Sequence, residues 1–205
     1  MRHRPFLKTI AAGAAFSGML LVGLLANAAR GQAGDRDSVD DRIQVGLAVA
    51  PVPLNLDGKN QALVGLGSYL VNVSGDCNGC HSNGPATEFS PGRNPYFGQP
   101  KQINPATYLG GGRDFGALVP NSPNIISRNL TPDKTGLPLG GHTFSDFFQI
   151  IQTGVDIDHV HPSCSSSVTT NCLPPPFNGA LLQVMPWPIF QSMTIDDLRA
   201  VYEYL

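Results

Sequence analysis

Residues 75–84 read GDCNGCHSNG, a run that sets Cys77, Cys80 and His81 within five positions. Three chemistries answer to such a cluster: a structural zinc ion, a reactive dithiol, and a covalently attached haem whose iron takes the histidine. Chance is a poor competitor. With 4 Cys and 5 His in 205 residues, about 0.002 C-x-x-C-H runs are expected per chain.

Zinc asks for four ligands at short, closed spacings, and the other two cysteines, Cys164 and Cys172, stand far downstream with seven residues between them. A thioredoxin-type dithiol opens a helix after a strand, whereas these cysteines follow a helical pattern and lead into a Gly-rich loop. C-x-x-C-H is the attachment pattern for c-type haem. Two thiols at this spacing can each form a thioether with one vinyl group, and the adjacent imidazole then lies under the iron. On this reading Cys77 and Cys80 are the anchors, His81 is the proximal ligand, and one motif means one haem. The blander alternative is a Cys77–Cys80 disulfide beside an incidental histidine.

The sixth ligand is sought among two methionines and three histidines. Met193 directly precedes Thr194, which opens a helical pattern with Leu198 at its fourth position, so a hydrophobic staple accounts for it. Met185 stands in QVMPWPIF, where Pro186 and Pro188 keep the backbone out of a helix interior and hold it extended. Met185 is therefore the expected ligand, against core packing beside Trp187 and Phe190. His142, His159 and His161 are the rivals; a His/His pair would lower the potential relative to Met/His.

Redox compartment enters through the N-terminus. Arg2, Arg4 and Lys8 precede an apolar run from Ile10 to Ala26, and Ala26-Asn27-Ala28 offers small residues for cleavage, so residues 1–28 read as a signal peptide. An uncleaved segment would instead anchor the chain in a membrane, since 10–29 is about long enough to span one. Without residues 1–28, 10 Lys and Arg face 15 Asp and Glu. That acidic balance offers nothing to nucleic acid. Export to an oxidising compartment predicts that Cys164 and Cys172 form a disulfide.

Residues 29–60, which open on the polar run RGQAGDRDSVDDRIQ, are expected to be a flexible extension, ahead of a single domain over 61–205. There, Leu63, Leu66, Tyr69, Leu70 and Val73 fall at helical spacing just before the cluster. From His81 to Arg128 periodicity is lost among prolines and glycines. A structureless loop of that length is usually functional, for example by wrapping a ligand. HTFSDFFQIIQTG pairs Thr143 with Asp146 as a capping box, gathers Phe144, Phe147, Phe148 and Ile151 on one face, and ends at Gly154. MTIDDLRAVYEYL repeats the device with Thr194 and Asp197 around Leu198, Val201, Tyr202 and Leu205. The expected fold class is all-α, with about three principal helices, long Gly/Pro-rich loops and no internal repeat.

Five stretches in order, GSYLVNVSGDCNGCH, YLGGGRDF, RNLTPDKTGL, TFSDFFQIIQTG and MPWPIFQSMTIDDLRAVYEYL, span residues 65–205. In these the sequence resembles bacterial class I-like c-type cytochromes, particularly the cytochrome subunits or electron acceptors of periplasmic dehydrogenases. The resemblance implies a cytochrome c fold whose first and last helices cross, with Gly65 or Gly67 allowing their approach. It also implies that 129–132 lies along the haem, where Asn129 or Thr131 offers polar groups to a propionate; a simple turn is the alternative. The Cys164 to Cys172 insertion and the long 81–128 loop depart from a minimal cytochrome. The implied function is a periplasmic monohaem carrier, passing single electrons from a dehydrogenase to a terminal acceptor. Two other readings stay open: a haem enzyme or gas sensor with an open sixth position, and a fixed subunit of a dehydrogenase complex.

Overall fold

The computed structural model describes residues 38–205; the segment read as a signal peptide lies outside the described residues. The chain divides into two compact units, Met1–Asp41 and Arg42–Leu205. Of the first only 38–41 are described, and they are helical.

Within Arg42–Leu205 the helical elements are the remainder of α1 (38–49), α2 (Gln61–Tyr69), α3 (Cys77–His81), a four-residue α4 (Pro138–Gly141), α5 (Phe144–Thr153), α6 (Trp187–Phe190) and α7 (Ile195–Tyr204). The segment 29–60 thus contains a helix where the sequence suggests a flexible extension. Ser68 of α2 donates its hydroxyl to the Gly46 carbonyl at 2.6 Å, and this bond is buried. Ile43 and Leu47 of α1 pack on Gly65 of α2, so an apolar line on one helix meets a small residue on the other.

Asn60 caps α2, its Oδ1 accepting from the amides of Ala62 and Leu63, which occupies otherwise orphaned donors. The face of α2 that is most buried is Val64, Gly65, Gly67 and Ser68, one residue off the Leu63/Leu66 stripe. Val73 is exposed. Two physical causes explain the shift. Gly67 sits against the Ala200 carbonyl of α7 with no room for a Cβ, while Gly65 faces Ile43 of α1 instead. Beyond Tyr69 the helix then widens into a π-turn over Leu70–Ser74, whose extra residue per turn rotates Val73 away from the core.

α5 and α7 form as their local signals dictate. Thr143 and Asp146 close a reciprocal capping box, and Gly154 ends α5 at φ 70°. The Thr143 hydroxyl and amide hold the Asp146 carboxyl below its usual range. Thr194 accepts from the Asp197 amide to start α7. Phe147, Ile151, Leu198 and Val201 join Val71, Tyr108, Leu109 and Leu130 in one buried cluster. Leu198 is 1% exposed, a burial that contributes about 1.5–3 kcal/mol. Tyr202 packs edge-on to Phe144 with centroids 5.5 Å apart.

A polar ring closes the same region. The Tyr108 hydroxyl donates to Asn72 Oδ1 at 2.6 Å and lies 2.6 Å from the Tyr204 hydroxyl, while Asn72 Nδ2 donates to Tyr204. Burial above all, with Tyr204 adding, pushes the Tyr108 hydroxyl far above its ordinary range, so it stays a neutral donor. The loop between α3 and α4 contributes a two-stranded antiparallel ribbon, β1 (Asp114–Ala117) with β2 (Asn124–Ile126), irregular between its end pairs. Among the described residues no helix is long and apolar enough to cross a membrane.

Candidate haem-attachment site

The π-turn ends where the Gly75 amide reaches the Leu70 carbonyl at 2.8 Å. Asp76 then takes a left-handed conformation, φ 45°, which redirects the chain into α3. That single turn carries Cys77, Cys80 and His81. Cys77 is half-buried and packs against the core cluster, whereas Cys80 is exposed. Neither is in a disulfide, although Cys164 and Cys172 are paired. Burial first, then Asp76 and Cys80, push the Cys77 thiol up to about 12.

After residues 82–108, in which Phe89 and Ile103 form an antiparallel bridge, the chain folds back over α3. Its Leu109 amide donates to Asn78 Oδ1 at 2.9 Å, its Gly111 amide to the His81 carbonyl at 2.7 Å, and the Arg113 guanidinium to the Gly79 carbonyl. Arg113 also lies over the Phe115 ring, 4.8 Å from its centroid. Gly111, at φ 69°, stands so close to the Arg128 carbonyl group that a Cβ would collide with it. The aperiodic segment therefore wraps the cysteine helix, with part of YLGGGRDF as the contact.

His81 is oriented from the same side. Its Nδ1–H donates to the Arg128 carbonyl at 2.8 Å, which fixes the tautomer and leaves the Nε2 lone pair for a metal. Burial, with the Arg128 charge in support and the carbonyl bond opposing, lowers the His81 pKa from its usual value. The ring is thus held neutral, the form that binds iron. Arg128 in turn donates its guanidinium to Asp156 and Asp158.

The donor set fits a covalently attached haem. Two unpaired thiols lie one helical turn apart beside a neutral, oriented imidazole. Among the described residues no three His, Cys, Asp or Glu side chains gather as a metal-binding group. Three buried side-chain polar atoms lack a protein partner among the described residues, and two, Asn78 Nδ2 and Ser82 Oγ, belong to this short stretch. A cleft of about 330 Å³ lined by Val71, Asp76, Asn78 and Lys101 includes neither His81 nor Met185, and it plays no part in this donor set.

Met185 packs, half-buried, against the core cluster that Cys77 also touches, as does Met193. The Trp187 amide donates to the Met185 carbonyl at 2.8 Å and the Trp187 indole to Leu182 at 3.1 Å, holding the Pro-flanked segment ahead of α6. The rival histidines differ in setting. His142 Nε2 lies 3.1 Å from Asp158, His159 is exposed in a left-handed turn, and His161 keeps a buried Nδ1 without a partner. Asn129 and Thr131 engage each other: Asn129 Oδ1 accepts from the Thr131 amide and hydroxyl at 2.8 and 2.7 Å. They form the turn that follows Arg128.

Cys164 and Cys172 close a short loop whose base is paired, the Cys164 amide donating to Leu173 at 2.9 Å and Leu173 to Pro162 at 2.8 Å. Replacing both cysteines by alanine is expected to cost about 2.5 kcal/mol from loop-closure entropy. Urea denaturation of the oxidised protein and of the variant measures it; equal midpoints would contradict the assignment of stability to this bridge.

The sequence of the chain is similar to cytochrome c subunits of dehydrogenases. It is 28% identical over 161 residues to the cytochrome c subunit of alcohol dehydrogenase (quinone) from Gluconacetobacter polyoxogenes, covering 78% of this chain and 24% of that protein. The gluconate 2-dehydrogenase cytochrome c subunit of Pantoea cypripedii is 28% identical over 151 residues, 72% of this chain and 24% of the relative. The fructose dehydrogenase cytochrome subunit of Gluconobacter japonicus is 24% identical over 139 residues, with 68% and 20% covered. The chain thus spans about a quarter of the length of the curated relatives it matches. No protein-family model matches it, and no solved structure does.

Proposed function

We propose that the protein is an exported, monohaem c-type cytochrome of the all-α cytochrome c class, passing single electrons from a periplasmic dehydrogenase to a downstream acceptor. The observation that carries this reading is the pair of unbridged thiols, Cys77 and Cys80, one turn apart, beside a histidine whose Nδ1 is tied to the Arg128 carbonyl. Cys77 and Cys80 would hold haem c through thioether bonds, with His81 and Met185 as axial ligands and Asn129 or Thr131 near a propionate. When bound, haem c supplies an iron that accepts and releases one electron. The polypeptide contributes orientation of His81, a methionine on a stiff Pro-flanked segment, and aromatic packing from Phe147, Tyr108 and Tyr202 that keeps water from the interior. His81 and Met185 together would hold the iron in either redox state, which suits transfer over substrate chemistry.

A redox titration followed by optical spectra tests this directly. One single-electron transition and a far-red iron–thioether band in the oxidised protein are expected. Met185→Ala should abolish that band and lower the potential, since methionine raises it relative to histidine or water. A band that survives in Met185→Ala would remove Met185 from the site. Rapid carbon monoxide binding by the native ferrous protein would favour an enzyme or gas sensor with an open position.

A second reading has an observation of its own, because the relatives are named as subunits of dehydrogenases. The chain would then be a fixed cytochrome component rather than a shuttle. Stable co-purification with a dehydrogenase distinguishes the two.

A further inference from the structure

We propose that Arg128, clamped by Asp156 and Asp158, is a positioning residue for His81, and that this clamp sets the reduction potential of the site. The inference rests on the haem reading above and names how that site is tuned.

The Arg128 carbonyl is the acceptor for His81 Nδ1–H. A firmer acceptor there makes the imidazole more basic and the oxidised iron more stable. Arg128 is held at three levels. On either side of it the main chain is bonded to the wrapping loop, the Gly112 amide to the Ser127 carbonyl at 2.9 Å and the Leu130 amide to the Leu109 carbonyl at 2.8 Å. Its carbonyl is covered by Gly111. Its side chain donates to two carboxylates, of which Asp156 is 8% exposed and Asp158 40%.

Asp156 is itself fixed. Its amide donates to the Ala180 carbonyl at 2.9 Å, and its Oδ2 accepts from the Val160 amide at 3.2 Å. The clamp therefore joins the acceptor of the histidine to a part of the chain 28 residues further on. One guanidinium against two carboxylates leaves an excess of negative charge, with His142 beside Asp158. Charge and geometry act in the same direction on this view. Both favour the oxidised state, so loosening the clamp at Asp156 raises the potential.

The test uses the full haem-loaded protein and Asp156→Asn. With haem content equal to wild type, the oxidised-to-reduced ratio at a fixed applied potential is expected to fall about tenfold, which is about 59 mV for one electron. Exchange of the His81 Nδ1–H proton with solvent, followed by NMR in the ferrous protein, should accelerate about tenfold or more. Asp156→Glu should restore both toward wild type. An unchanged midpoint overturns the proposal, and so does a raised midpoint with unchanged proton exchange, because charge alone would then explain the shift. If Asp156→Asn fails to accumulate, Arg128→Lys serves, since an ammonium cannot span both carboxylates as the guanidinium fork does; it is expected to raise the midpoint, and an unchanged value overturns the proposal. Wild-type protein without covalent haem is a separate result, read from its absorption before any variant is made, and it overturns the haem reading itself.

Discussion

Cys77→Ser with Cys80→Ser is expected to remove the covalent haem: a denaturing gel stained for haem peroxidase activity should show no band, where wild type should show one. The argument is chemical. Serine keeps the size and the helical turn but offers no sulfur for a thioether, so His81 and Met185 are left to retain a dissociable group. Stability falls as well, because a group bound only by the native state adds free energy to it, about 4 kcal/mol for a ligand at a thousand times its dissociation constant. A tether holds the group at a high effective concentration. Urea denaturation should therefore show a loss of about 4 kcal/mol or more. A stained band of wild-type intensity in the double variant would falsify the assignment of these thiols.

Gly67→Val is expected to destabilise the fold by about 3 kcal/mol or more, the upper end of what overpacking costs. A Cβ at this position collides with the Ala200 carbonyl of α7 and comes within 2.8 Å of Tyr204 Cβ. Because the first atoms met are main chain, no side-chain change at position 200 relieves the clash. Intrinsic propensity works the other way, since replacing a mid-helix glycine by alanine would by itself gain about 1 kcal/mol. Collision exceeds it. Gly67→Ala should therefore also destabilise, by less than Gly67→Val, in thermal unfolding followed by circular dichroism. An alanine variant more stable than wild type would show that α2 and α7 do not approach as described.

What could be read in the sequence was whatever is written locally. Both capped helices, α5 and α7, announce themselves because Thr143 with Asp146 and Thr194 with Asp197 act within one turn. The Cys77–His81 cluster is likewise a five-residue signal, and the Cys164–Cys172 bridge follows from spacing and compartment. Other features escape for physical reasons. The buried face of α2 joins Val64 to Gly65, Gly67 and Ser68, and the last three are residues that hydrophobic periodicity does not count. α1 begins within the polar run that reads as a lead-in, although Ile43 and Leu47 pack on Gly65 and the Gly46 carbonyl accepts from Ser68. β1 and β2 are too short, and too irregular between Asp114 and Ala117, for alternation to register.

The supports of the site were hidden for another reason. Arg128, Asp156 and Asp158 look in sequence like ordinary surface charges, and only the fold brings them together behind His81. Gly111 belongs to a glycine triplet that reads as a loop. Its requirement for a positive φ and no side chain comes from the Arg128 carbonyl it covers. Asn129 and Thr131 were expected near a bound propionate, and their mutual hydrogen bonds show how readily the same residues also serve as a turn.

The packing of Cys77 carries a consequence for the order of assembly. Its thiol lies against a core that Leu198 and Val201 of the last helix complete, and the Tyr108, Asn72 and Tyr204 ring latches that helix in place. A finished fold thus shelters the sulfur that, on the haem reading, has to react. On that reading maturation would have a direction: the thioethers would form while the C-terminal residues are still undocked, and α7 would close afterwards.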